Sequence, residues 1–173
     1  SVRHPDFECD DVIATLTALH ANQGDECTII SSDSDFIQLH NIFDIKLYNP
    51  IKKKFIEKPD YDYVVWKALR GDPTDNIPGI KGIGDKTALK IVKNSNLMQE
   101  ILSNPSKSEI FERNVNLIRL VNLSQKLDEL EYTYGISAMD KLYETFDTFE
   151  FTSMLNEKSW NKFCATFAGL QVK

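Results

Sequence analysis

The chain has 173 residues, enough for one domain with a sizeable core, or a core plus a small satellite, and too few for two full domains. With 42% hydrophobic and 27% charged residues its usage is that of an ordinary globular protein, which excludes wholesale disorder, and no apolar stretch approaches the roughly 18 residues of a membrane span. The net charge of −6 is uneven: residues 1–50 hold nine acids against two bases, 51–100 seven against ten, and 101–173 ten against eight. A strongly acidic block beside a basic one suits a site that gathers cations and then meets a polyanion, although a chance patchwork of surface charge reads the same way. Cys9, Cys27 and Cys164 are odd in number and far apart, so neither a disulfide framework nor a zinc site is indicated. No signal-peptide layout opens the chain, and a reducing cytoplasm is the expected setting.

In chain order, residues 7–22 place Cys9, Val12, Ile13, Leu16 and Leu19 at helical spacing, with Asp6 as a candidate cap and Gly24 beyond the end. CTIIS follows as a short β-branched run, predicted to be a parallel strand buried on both faces. IKLYN (45–49) and KKFIE (53–57) predict a peripheral hairpin or two short strands. Residues 60–70 predict a helix with Val64, Val65, Ala68 and Leu69 on one face. The segment 71–92, with Gly71, Gly79, Gly82, Gly84, Pro73 and Pro78, reads as a compact turn feeding a helix whose apolar pattern resumes at Ala88, Leu89 and Val92. Ser106 and Glu109 match a capping box that opens a helix to about Leu123, and the aromatic-rich remainder predicts two further helices. Helix followed by strand implies an α/β layer fold.

Carboxylates gather in three short stretches. Asp33 and Asp35 lie just past the end of the CTIIS strand, where open parallel sheets bind ligands. Glu8, Asp10 and Asp11 crowd the first turn of the first helix, and Asp72 and Asp75 flank the glycine-rich turn. Each cluster alone also reads as ordinary: first-turn acids complement a helix dipole, Asp33 suits a cap, and Asp72 and Asp75 suit Asx turns. Doubling in all three places is what these readings leave unexplained. If the clusters converge, their repulsion needs relief, and oxygen-only donors favour two Mg2+ or Mn2+ ions. Two such ions about 4 Å apart can hold a water and a phosphate leaving group in line for phosphodiester hydrolysis.

In GIKGIGDK the alternating glycines let backbone approach a ligand and leave amides free at a helix start. Lys81, Lys86, Lys90 and Lys93 can follow a nucleic-acid backbone, whereas Lys52 to Lys54 read better as a solvated hairpin tip. No Walker lysine or Rossmann arrangement accompanies these glycines, and no aromatics interleave with the lysines as in a single-strand stacking platform.

ECDDVIA (8–14), ISSDSDFIQL (30–39) and GDPTDNIPGIKGIGDKTA (71–88) resemble, in order and spacing, the signature blocks of the flap endonuclease or 5′-to-3′ exonuclease family. The likeness is closer to the T-even-phage ribonuclease H type than to the nuclease domain of bacterial DNA polymerase I, and it is strongest in the first half of the chain. The resemblance implies part of a PIN-like parallel-sheet core over 1–59, then over 60–173 a helix-three-turn-helix DNA-gripping element and a mainly helical C-terminal region. It implies magnesium-dependent removal of RNA primers and 5′ flaps in DNA replication or repair, in the cytoplasm, with a phage-infected bacterium as the expected host.

Carried over residue by residue, Glu8, Asp10, Asp11 and Asp33 match first-metal acids, and Asp35, Asp72 and Asp75 match second-metal acids. Asp10, Asp33, Asp35, Asp72 and Asp75 are thereby implied as catalytic. Gly79, Ile80, Lys81, Gly82, Ile83, Gly84, Lys86, Thr87 and Lys90 fall on the DNA-gripping turn, where some relatives also hold K+. The family's opening strand with its metal-binding aspartate, and the basic helical arch after it, have no counterpart here. A separate N-terminal chain completing the site is therefore expected, or marginal stability alone. A non-catalytic duplex-DNA-binding module is the alternative reading. An enzyme acting on small phosphate esters is a third, which leaves the glycine turn and lysines without a role.

Overall fold

A computed structural model describes residues 1–135 and 138–168, which form two compact units, Val2–Tyr132 and a helical unit from Thr133 onward. The boundary expected at residue 59/60 falls inside the first unit, where it marks the passage from sheet to helices.

The first unit is mixed α/β. Strand β1 (Val2–Arg3) leads to helix α1 (Cys9–Asn22), strand β2 (Cys27–Ile30), a 3-10 turn over Asp35–Asn41, and strands β3 (Ile45–Asn49) and β4 (Lys54–Ile56). β2 pairs in parallel with β3, and β3 pairs antiparallel with β4, in the order β2-β3-β4. β3 is thus the central strand, with Leu47 1% exposed, rather than part of a peripheral hairpin. Nor is β2 buried on both faces: Ile29 enters the core beside Ala14, Phe36, Leu39 and Ile45, while Thr28 is exposed and Ile30 is 69% exposed. With a neighbour on one side only among the described residues, β2 shows the alternating burial of an edge strand.

The expected cap of α1 is also displaced. Glu8, with extended backbone, precedes the helix, and the Asp6 amide donates to Nδ1 of buried His4. The His4 ring meets Phe7 edge-on, fixing the chain entry before α1.

Helix α2 (Tyr63–Arg70) opens on Asp62, whose side chain accepts from the Val65 amide, and closes at Gly71 with φ +82°. The chain then folds back through the short pair β5 (Gly71–Asp72) and β6 (Ile77–Pro78) into helices α3 (Asp85–Val92), α4 (Ser95–Leu102) and α5 (Pro105–Ile118). Val64, Ala68, Leu69, Ile80, Ala88, Ile91, Ile101, Phe111 and Ile118 form the second core. The Ser106/Glu109 capping box does not form, because Pro105 takes the first helical position and Asn104 caps through the Lys107 amide. Nor does α5 reach Leu123. From Arg119 the backbone is extended, and its amides go to buried side chains: Leu120 N to Gln38 Oε1 (3.1 Å), Val121 N to Asp11 Oδ1 (2.7 Å) and Leu123 N to Thr15 Oγ1 (2.9 Å). A short 3-10 turn, Leu127–Glu129, then precedes β7 (Glu131–Tyr132), which pairs antiparallel with β1.

Among its described residues the second unit holds α6 (Met139–Thr148), α7 (Thr152–Leu155) and α8 (Glu157–Ala168), three helices where two were expected. Aromatics hold it together: Trp160 meets Tyr143 edge-on at 5.1 Å and stacks on Phe163 at 5.7 Å, and Phe163 packs on Phe167 at 4.5 Å. The three cysteines are free thiols, and no described helix is long and apolar enough to cross a membrane.

One buried amide ties the first unit's helices together. Asn114 is 0% exposed, and its Nδ2 donates to the carbonyls of Ala68 and Pro78, both at 2.9 Å. Asn114→Ala strands both carbonyls in the core and is expected to lower unfolding free energy by about 2–4 kcal/mol, measured by urea denaturation. A loss below about 0.5 kcal/mol would contradict the assignment.

Candidate metal and nucleic-acid site

The three carboxylate clusters arrive by three local routes. Asp10 and Asp11 follow the N-terminus of α1, where the helix dipole favours acids. Asp33 and Asp35 lie beyond β2; the Asp35 amide donates to Asp33 Oδ1 at 2.9 Å, so Asp33 shapes the 3-10 turn while its carboxylate stays exposed. Asp72 follows α2, and its Oδ1 accepts from the Thr74 amide at 2.9 Å, an Asx turn that leaves the other oxygen free for a further partner.

All seven sequence-predicted acids, Glu8, Asp10, Asp11, Asp33, Asp35, Asp72 and Asp75, line one open cavity of about 740 Å3. Asp6 lines it too, against two cationic side chains, Lys67 and Arg119. The wall therefore carries a large surplus of negative charge, and the individual groups register it. Burial, then the charges of Asp33 and Asp35, with Glu8 and Asp11 behind them, push the Asp10 carboxyl above its ordinary range. Burial, then Asp72 and Asp35, do the same to Asp75. Asp72 goes the other way: burial works upward, but the Lys67 ammonium and the Thr74 amide outweigh it and hold the carboxyl low.

Sequence reasoning missed Lys67. It lies on α2, 3% exposed, and its ammonium pairs with both Asp35 and Asp72. Burial pushes the ammonium down, and the two carboxylates more than offset this, so its pKa rises. A signal was present: with Tyr63, Val64 and Ala68 it forms a stripe at helical spacing in which a lysine takes a core position. Arg119, and the Gln38 and Thr15 side chains that hold the extended segment at the cavity wall, had no such signal.

In kind, the donors fit a hard divalent cation: they are carboxylate oxygens only, and two of them are driven toward protonation by burial and then by their neighbours' charge. In spacing they are looser. Among the described residues no three His, Cys, Asp or Glu side chains form a group that could hold a metal ion, and an ammonium stands between Asp35 and Asp72. One Asp11 oxygen is taken by the Val121 amide, a structural duty the sequence did not disclose.

The glycine turn divides into two parts. A Cβ on Gly79 would lie 2.1 Å from the Arg70 carbonyl oxygen, and one on Gly71 2.3 Å from the Gly79 nitrogen, so these glycines serve close packing of the turn on the end of α2. Ile80 is 3% exposed, and its amide donates to the Leu69 carbonyl, which makes it a core residue rather than a surface contact. Gly82, at φ +85°, and Gly84 have nothing within 4 Å of a Cβ, and Ile83 is half-buried. Gly84 precedes α3, and Lys81, Lys86, Thr87 and Lys90 are exposed around it. Lys93 is engaged by Asp60 at 2.5 Å. Asp85, in the first turn of α3, pairs with Arg70 at 3.1 Å, while its carbonyl accepts from Trp66 Nε1.

Residues 59–154, more than half of the chain, match the family model described as 5′-3′ exonuclease, C-terminal SAM fold. The chain is 32% identical over 175 residues to the thermostable DNA polymerase I of Thermus thermophilus, a match covering 88% of this chain and 21% of the polymerase. It is 33% identical over 174 residues to the 5′-3′ exonuclease of Aquifex aeolicus, covering 88% of this chain and 59% of that protein. The DNA polymerase I of Bacillus subtilis is 34% identical over 109 residues, 56% of this chain and 12% of the polymerase. The chain thus spans only part of each of these relatives.

The raised Asp10 pKa makes its charge a liability to the fold. An acid whose folded-state pKa lies above its unfolded value contributes stability below the unfolded value, and that stability is lost as pH rises through the folded one. Asp10→Asn is therefore expected to raise the melting temperature in EDTA by a few degrees at neutral pH. The gain should vanish toward and below the ordinary value of 3.8. Thermal melts across that range check it, and a lower melting temperature at neutral pH would contradict it.

Proposed function

The chain belongs to the 5′-3′ exonuclease family, matched over its C-terminal fold, and from that premise we propose that it is the C-terminal portion of a structure-specific 5′ nuclease acting on duplex DNA with a 5′ flap or RNA primer. The observation that carries this reading is the meeting of carboxylates from three distant stretches in one cavity, in the same compact unit as a glycine turn fringed by exposed lysines.

In this reading Asp35, Asp72 and Asp75 hold one Mg2+ or Mn2+ ion, and Asp10 and Asp33, with Glu8 and Asp11 beside them, another. Bound cations would supply charge neutralisation and activate water for phosphodiester hydrolysis. The remaining work belongs to the chain. Lys81, Lys86 and Lys90 neutralise backbone phosphates without reading sequence. Gly82 and Gly84, with open space where a side chain would stand, let that backbone come close. The open edge of β2 and the exposed Ile30 suit a further strand, so a PIN-like sheet is completed by an N-terminal segment or a separate chain that also brings the acids and basic residues absent here.

One observation favours a second reading. The spacing of the carboxylates, with an ammonium between Asp35 and Asp72, suits a duplex-DNA-binding module that has lost catalysis. A single experiment separates the two. With the N-terminal part of a 5′-3′ exonuclease supplied, the chain should cleave a 5′-flap duplex in Mg2+. Asp72→Asn should reduce cleavage about 100-fold or more while duplex affinity measured by fluorescence anisotropy stays within about threefold. Binding with no cleavage by the unmutated chain would establish the module instead.

A further inference from the structure

Lys67 is a charge in an expensive place. It is 3% exposed, its side chain 4%, and its two partners come from different parts of the chain: Asp35 opens the 3-10 turn after β2, and Asp72 lies in β5, just past the end of α2. The Asp72 side chain is 7% exposed and that of Asp35 21%. Burying any one of these charges alone costs several kcal/mol, so each depends on the others. Nothing else among the described residues forms an ion pair with Asp35 or Asp72. Among the described residues the ammonium is the only cation that pairs with the two carboxylates, and it does so on the wall of the acidic cavity.

Asp75 sits beside this pair without a cation of its own. It lines the same cavity as Lys67, whose ammonium pairs with Asp35 and Asp72. The arrangement is three carboxylates served by a single positive charge, leaving room in the electrostatics for a second cation or for a replacement of the first.

We propose that Lys67 is a built-in counterion that holds Asp35 and Asp72 together in place of a divalent cation and, by competing for the same two carboxylates, weakens the affinity of the cavity for that cation. The proposal rests on the reading of the cavity as a cation site. Its role is one of positioning: the ammonium keeps the acids assembled before a cation binds. When a cation takes the pair, the ammonium loses part of its hold on Asp35 and Asp72. The folded unit therefore does not depend on a bound ion, at the expense of weaker capture.

The test uses the whole chain with Mg2+ or Mn2+ as the sole added ligand, read by isothermal titration and by melting temperature in EDTA and at saturating cation. Lys67→Met removes the charge and keeps most of the stem. It is expected to melt well below the unmutated chain in EDTA, to recover most of that loss at saturating cation, and to bind the cation roughly tenfold more tightly. Lys67→Arg keeps the charge and is expected to bind the cation within about threefold of the unmutated chain.

Unchanged or weaker cation affinity in Lys67→Met would overturn the proposal, as would failure of cation to restore a folded Lys67→Met. Tighter binding by Lys67→Arg equal to that of Lys67→Met would overturn it too, since packing rather than charge would then be responsible. If the unmutated chain and both variants take up no cation, the reading of the cavity itself fails, and that outcome is distinct from the others.

Discussion

An ammonium with almost no access to water sits between two carboxylates, and the first unit is arranged around that contact. Asp35 belongs to the stretch that leaves the sheet, Lys67 to the helix that begins the second core, and Asp72 to the turn that leads into α3. A charge cluster of this kind is strongly position-dependent, because moving any member a few ångströms leaves an unpaired charge in a poorly solvated place. It therefore sets where the sheet end, α2 and the glycine turn stand with respect to one another. The other acids of the cavity are arranged about this fixed point, and the upward push on Asp10 and Asp75 comes first from burial and then from the charge of neighbouring carboxylates.

A second set of polar contacts builds a further part of the wall. Helix α5 could continue on propensity, yet at Arg119 the chain turns extended because Gln38, Asp11 and Thr15 accept the amides of Leu120, Val121 and Leu123. Gln38 closes the exchange by donating to the Ile118 carbonyl at 3.1 Å. These are buried side chains whose hydrogen bonds replace those of a helix, so the backbone remains satisfied while its direction changes. The start of the segment so held, Arg119 to Val121, lines the acidic cavity together with the last residues of α5. Asp11 consequently serves two masters: it adds negative charge to the wall and pins the chain that forms it.

Much of this was legible in the sequence, for reasons that can be named. α1 and α2 announce themselves through apolar periodicity, and β2 through a β-branched run, because those signals are local. The convergence of the three acidic stretches follows from strand-end placement and helix-start placement, and all seven acids do line one cavity. What stayed hidden depends on contacts across many residues. The early end of α5 is set by Asp11, Thr15 and Gln38, some 80 to 110 positions away. The capping box at Ser106 and Glu109 was a valid pattern, displaced by the stronger pairing of Asn104 with Pro105. Ile80 and Gly79 read as ligand-facing because glycine-rich turns usually expose their backbone, whereas here both are used in packing the turn on α2. Lys67 was missed because a lysine in a helix is ordinarily a surface residue.

Whether the three acidic stretches act as one cation-collecting cavity is tested most directly by manganese-induced broadening of backbone amide signals in NMR spectra. Substoichiometric Mn2+ should broaden the amides of Asp10, Asp33, Asp35, Asp72 and Asp75 together, at one common concentration, and leave the exposed acids Asp25 and Asp44 sharp. Broadening confined to one stretch, or spread over acids on unrelated faces, would contradict a shared site.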